Sequence, residues 1–154
     1  MNVAALRGAC DRFIDAVDGG SFRPPADGEW SVDLVLAHVI VADRLVAQPV
    51  ADVLAGRRPA YSNRASLSVP YLEAIVRAAG DRPTLLESVR RGSEELAAVA
   101  ARMTRAQAEA VVPVVIASGG ETVVDAPMSV AQLVAGAGRS HLSLHQARLE
   151  SLRA

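Results

Sequence analysis

Apolar positions along this chain recur mostly at three- and four-residue spacing, the mark of helices that bury one face. Leu6, Ala9, Phe13 and Val17 define a first helix over residues 2–17. It ends at "DGGSFRPPADGE", because Gly19, Gly20, Pro24 and Pro25 cannot continue it. A second helix opens after Trp30, with Ser31 as N-cap ahead of Val32, Leu34 and Val35. Pro49 and the following "GRRPAYSNRASLS" end or kink it. After a short helical piece over 71–79, "DRPTLLE" starts a third long helix, capped by Asp81 with Pro83 in its first turn, that reaches Met103.

The period then changes. "AVVPVVIASGGETVVDAP" is β-branched on both sides of Ser118-Gly119-Gly120 and predicts a hairpin. A lone hairpin is marginal, so it must pack on the helices or on a partner. "SVAQ" opens the last helix as a capping box from Ser129 to Gln132. At about 25 residues that helix would be roughly 37 Å long. The expectation is a mainly α protein of four long helices, with a small β-hairpin before the last, and 154 residues forming one domain over 1–154.

Composition supports helices over a sandwich: 51% of residues are hydrophobic but only 3% are aromatic, so the core is built from Ala, Val and Leu. Sixteen basic against seventeen acidic residues give a formal charge of −1, with no basic block, which excludes nucleic acid as a partner. Every basic residue is Arg, a coding bias of GC-rich genomes that suggests an actinobacterial source. Cys10 is the single cysteine, so no internal disulfide forms. "MNVAALRGACDRF" meets Arg7 and Asp11 before any run suited to a signal peptide. "SVDLVLAHVIVADRLVAQPV" is broken by Asp33, His38, Asp43 and Arg44, short of the ~18 clean residues of a membrane span. The chain reads as a soluble, cytoplasmic protein.

Chemistry enters through three histidines. At about 100° per residue, with His141 as zero, Val130, Val134, Ala137, Leu144 and Leu152 fall within about 60°, and His145 lies about 40° away. The same construction centres His38 on Leu34, Val35, Val41, Ala42 and Leu45 of the second helix. All three imidazoles therefore face the interior, where each needs partners for both ring nitrogens. A divalent metal held by His38, His141 and His145 satisfies one nitrogen of each ring while the other donates to a neighbouring acceptor, and three ligands leave a fourth position open. Imidazole suits Zn, Ni, Fe and Cu alike. The bland alternative is a polar core of histidines that only hydrogen-bond.

"EWSVDLVLAHVIVADR" resembles the Trp-Ser/Thr-Val…His segment of the DinB/YfiT-like family, and "MSVAQLVAGAGRSHLSLHQARLESL" resembles its last helix with an HxxxH pair. That family includes the N-terminal domain of mycothiol-dependent maleylpyruvate isomerase. The resemblance implies a four-helix bundle with a crossover connection, a divalent metal (Zn, Ni or Fe) on His38, His141 and His145, and a homodimer. It also implies an S-transferase or isomerase acting with a low-molecular-weight thiol such as mycothiol or bacillithiol on a small electrophile. The isomerase has a second domain for which 154 residues leave no room, and a carboxylate where this chain has His141, so a different substrate is expected.

A metal-activated thiolate would attack the electrophile; a bound water would instead make the site a hydrolase. Arg148, about 20° from His141 and two turns along, either faces the cavity to hold a substrate carboxylate or snorkels to solvent. Trp30 either lines a pocket mouth or packs the helix entry. Cys10 reads as a small buried hydrophobe, with a fourth-ligand role only if the first helix approaches at that depth. Arg57-Arg58 and Arg90-Arg91 read as solvated faces. The competing class is a non-catalytic binding or dimerisation module whose histidines are structural.

Overall fold

The periodic segments fold as helices in the computed structural model, which describes residues 3–154, so Asn2 of the expected first helix lies outside the described residues. Helix α1 (Val3–Val17) turns Leu6, Ala9, Phe13 and Val17 inward, and Cys10 is buried beside them. Helix α2 (Val32–Leu54) starts where the Ser31 hydroxyl accepts the Leu34 N–H at 3.2 Å. Pro49 does not end it. Although proline cannot donate to the carbonyl four residues back, Val46, Pro49 and Val50 are all buried, and that packing carries the helix to Leu54. Gly56, at φ +68°, takes the left-handed turn that stops it.

Next come β1 (Tyr61–Ser62), a 3-10 turn (Arg64–Leu67), α3 (Val69–Ala79) and α4 (Arg82–Ala101). The Asp81 carboxylate caps α4 by accepting the Thr84 N–H at 2.8 Å. A short α5 (Arg105–Ala108) leads into β2 (Val111–Ser118) and β3 (Glu121–Ser129), joined at Gly119-Gly120, whose positive φ values of 58° and 88° suit a tight hairpin. The hairpin gains a third strand that its sequence pattern did not announce, because β1 pairs parallel to β2 and gives the order β1-β2-β3. Val112, Val114 and Ala117 of β2 face the core, the register shift between Ile116 and Ala117 having moved Ala117 onto that face. The last helix consists of α6 (Val130–Gly136), a π-helical segment (Ala137–Leu142) and α7 (Ser143–Ser151). Ser129 and Gln132 cap it reciprocally.

The molecule is mainly helical with a small three-stranded sheet. One continuous core joins α1, α2, α4, the inner face of β2 and the last helix. α2 is the one helix among the described residues long and apolar enough to cross a membrane, yet 67% of its apolar window is buried inside the protein, as befits a core helix.

Asp43 breaks the apolar pattern of that helix. It is 1% exposed, and neither carboxylate oxygen has a hydrogen-bond partner among the described residues. Burial pushes its pKa up to about 7. The folded protein thus holds a proton that the unfolded chain releases near pH 4, so stability is full below that pH and falls as pH rises through 7. A side-chain amide at this position could not ionise. Asp43→Asn is therefore expected to melt several degrees above wild type at pH 8, the gap closing or reversing near pH 4, as scanning calorimetry would measure. A gap independent of pH would remove buried ionisation as its source.

Candidate metal centre

Three elements deliver the imidazoles to one point. His38 comes from the middle of α2, His141 from the π segment and His145 from the first turns of α7. The 3-10 turn fixes the first of them. His38 Nδ1–H donates to the Ser66 carbonyl at 2.7 Å, so in the neutral ring the lone pair is on Nε2. The turn is itself anchored to the sheet, since the Asn63 side chain bonds both the N–H and the carbonyl of Ala117, at 2.7 and 2.9 Å. The Ser66 hydroxyl closes the turn by donating to the Asn63 carbonyl at 2.7 Å.

The three Nε2 atoms converge. His38 and His141 stand 2.7 Å apart and His141 and His145 3.2 Å, and one ligand atom from each histidine lies within 4.8 Å of the others. Metal–nitrogen bonds of about 2.0–2.1 Å in a tetrahedral site leave ligand atoms a little over 3 Å apart, so the donor set fits a divalent ion with a slight opening. Burial depresses all three pKa values, with mutual repulsion adding for His141, down to about 4, and for His145, to about 3. At neutral pH the rings are uncharged and their lone pairs are available. Without an ion, a lone N–H on His141 Nε2 would have to serve both neighbours. His145 Nδ1, on the other side of its ring, is buried with no partner among the described residues, and an ion on Nε2 would not supply one.

A π segment widens the helical turn, so residues beyond it are rotated from the positions an ideal helix gives. His145 still meets His141. Leu144 does not follow: expected on the buried stripe, it is 68% exposed and borders the cavity instead, while Leu142 and Leu149 are buried. Gly138 lets α1 approach the segment, because a Cβ there would lie 3.1 Å from the Leu6 Cα.

A cavity of about 750 Å³ opens beside the imidazoles, between α2, the sheet and the last helix. Trp30 lines it, its ring 5.1 Å from that of His38, and Arg148 stacks over Trp30 with its guanidinium carbon 5.9 Å from the ring centroid. Of the residues singled out in the sequence, His38, His141, His145, Trp30 and Arg148 all border this space. Cys10 stands apart from the histidine group, near Ser93 and Asp43, and burial raises its thiol pKa. Arg57-Arg58 and Arg90-Arg91 are exposed. Nothing in the sequence pattern singles out Asn63 and Ser66; "YSNRAS" carries only a turn signal, and their service to His38 depends on a contact 28 residues away in sequence.

The chain belongs to the mycothiol maleylpyruvate isomerase N-terminal domain family, whose model matches residues 3–137. The matched segment contains His38 and ends at the first residue of the π segment, ahead of His141. No curated protein and no solved structure matches the chain.

Gly138→Ala forces α1 and the π segment apart by a few tenths of an ångström. We expect a loss of about 1–3 kcal/mol in stability and weaker divalent-metal binding by calorimetry. Gly136→Ala, whose backbone is helical and whose Cβ meets nothing within 4 Å, serves as the control and should leave metal binding unchanged while gaining up to about 1 kcal/mol in stability. In metal-free protein carrying Asp43→Asn, the depressed histidine pKa values give the opposite pH sign to Asp43. Stability should be full above about pH 6.5, the unfolded value, and fall as pH drops toward 4 and 3, the folded values for His141 and His145. A melting temperature that stays flat over that window would mean that the folded rings take up protons as readily as those of the unfolded chain.

Proposed function

We propose that this protein is a divalent-metal-dependent enzyme that uses a low-molecular-weight thiol of the mycothiol type to transfer or rearrange a small electrophilic substrate. The observation that carries the reading is the convergence of three neutral imidazole Nε2 atoms on the wall of a sizeable cavity. Family membership supports the thiol, because the family takes its name from a mycothiol enzyme. We read residues 1–154 as one domain, the four long helices as a four-helix bundle with a crossover connection, and the working unit as a cytoplasmic homodimer.

His38, His141 and His145 would hold the ion, which would supply an open coordination position and lower the pKa of a thiol or water bound there. Everything else is the work of this chain. The Ser66 carbonyl holds His38 in the tautomer that presents Nε2. Apolar walls around the imidazoles lower the local dielectric and strengthen charge interactions inside. Among the described residues that line the cavity there is no carboxylate, so the thiol proton leaves to solvent. In a transfer, the sulfur forms its bond to the electrophilic carbon while the leaving group departs with the electron pair of the bond it loses.

The test is metal content by mass spectrometry on untagged protein. About one divalent ion per chain is expected in wild type, as three-ligand sites hold a single metal, with the ion lost in both His38→Ala and His141→Ala. Consumption of thiol with a chloronitroaromatic electrophile should then track metal occupancy. Wild-type protein that neither contains metal nor takes it up on reloading would sink the metalloenzyme reading and leave a helical binding module.

A further inference from the structure

The cavity walls are strongly one-sided in character. Val46, Leu67, Ile116, Met128, Leu133 and Leu144 give it apolar surface. Several of its polar side chains are already engaged: Asn63 with the Ala117 backbone, Ser66 with the Asn63 carbonyl, and Gln132 in the cap with Ser129. A polyhydroxylated ligand would find few partners deep in such a space.

One lining residue carries a fixed charge. Arg148 is the sole Arg, Asp or Glu among the described residues that line the cavity, and its guanidinium makes no ion pair with a carboxylate among them. Glu29 feels its charge but is engaged elsewhere, accepting from Arg23 at 3.1 Å and from the Ala26 N–H at 2.9 Å. Stacking on Trp30 restricts where the guanidinium can point and leaves its N–H edge open to a planar anion.

We infer that the cavity takes a substrate with an apolar body and a single carboxylate, the carboxylate held by Arg148 at the mouth and the body lying against the wall that leads to the histidines. This rests on the reading of the histidine cluster as the reacting end of the site. It assigns Arg148 to substrate binding and specificity, and places any sugar-like part of a thiol cofactor outside the apolar space.

Trp30 is the single tryptophan of the chain, so its emission reports on this cavity directly. Octanoate and octanamide, which share an apolar chain and differ in charge, are titrated into as-purified wild type, Arg148→Gln and Arg148→Lys, with calorimetry alongside the emission. Wild type should bind octanoate at least tenfold more tightly than octanamide. Arg148→Gln should bring the two within threefold while octanamide binding is unchanged, which also shows that the cavity is intact. Arg148→Lys should restore part of the preference. Equal binding in wild type, no binding of either probe, or a preference that survives Arg148→Gln would overturn the inference. The last outcome is also what a carboxylate bound to metal would give. Metal content measured on the same samples, before and after reloading, separates the two readings, since an Arg148-dependent preference in protein that neither holds nor takes up metal keeps the carboxylate site and removes the metalloenzyme, and a metal-loaded protein without that preference does the reverse.

Discussion

Three imidazoles can turn their Nε2 atoms on one another in an apolar interior only if those nitrogens are satisfied, and the architecture around α2 follows from that requirement. His38 is the fixed member. Its bond to the Ser66 carbonyl needs the 3-10 turn, the turn needs Asn63, and Asn63 needs the backbone of β2 at Ala117. The small sheet thus acts as a buttress. It is too short to be stable alone, and it couples a strand to the tautomer of a histidine one helix away.

The other two imidazoles depend on a departure from regular helix. A π segment is less favourable than α-helix and survives where packing insists on it. Here the packing is the approach of α1 at Leu6, permitted by Gly138, and the consequence is a rotated α7 that keeps His145 on His141 while sending Leu144 to the cavity rim. Asp43 shows the same core under a different constraint. A carboxyl group with no partner among the described residues sits inside α2, and burial raises its pKa to about 7, so that below that pH it keeps the proton that removes its charge.

Much of this is legible without coordinates. Ser31, Asp81 and the Ser129–Gln132 box signal their helix starts through local capping chemistry, and Gly119-Gly120 signals the hairpin, because caps and tight turns are decided by a few adjacent residues. Helical phase places His38, His141 and His145 on inward faces. What it misses is non-local. Pro49 reads as a breaker and is overridden by burial; β1 is two residues long and exists only by pairing with a strand 53 residues later; Leu144 falls on the core stripe only by a 100° increment that the π segment does not obey. Cys10 reads as buried and is so, but its distance from the histidines emerges only once α1 docks through Leu6 and Cys10 on different neighbours.

Charge links the candidate centre to the ligand it can accept. Neutral histidines contribute nothing to the compensation of a divalent ion, so a loaded centre would keep both positive charges, with Arg148 adding a third at the mouth. A centre with a carboxylate in place of His141 would be one charge lower. In a space walled by Leu, Ile, Val and Met such charge is weakly screened, and it favours anions that can reach it over neutral molecules of the same shape. A thiolate at the histidines and a carboxylate at Arg148, as proposed, would together neutralise most of it. Arg148 lies close enough to His38 and His145 for its charge to add to burial in lowering their pKa values, so a carboxylate held there would also relieve the centre of that repulsion.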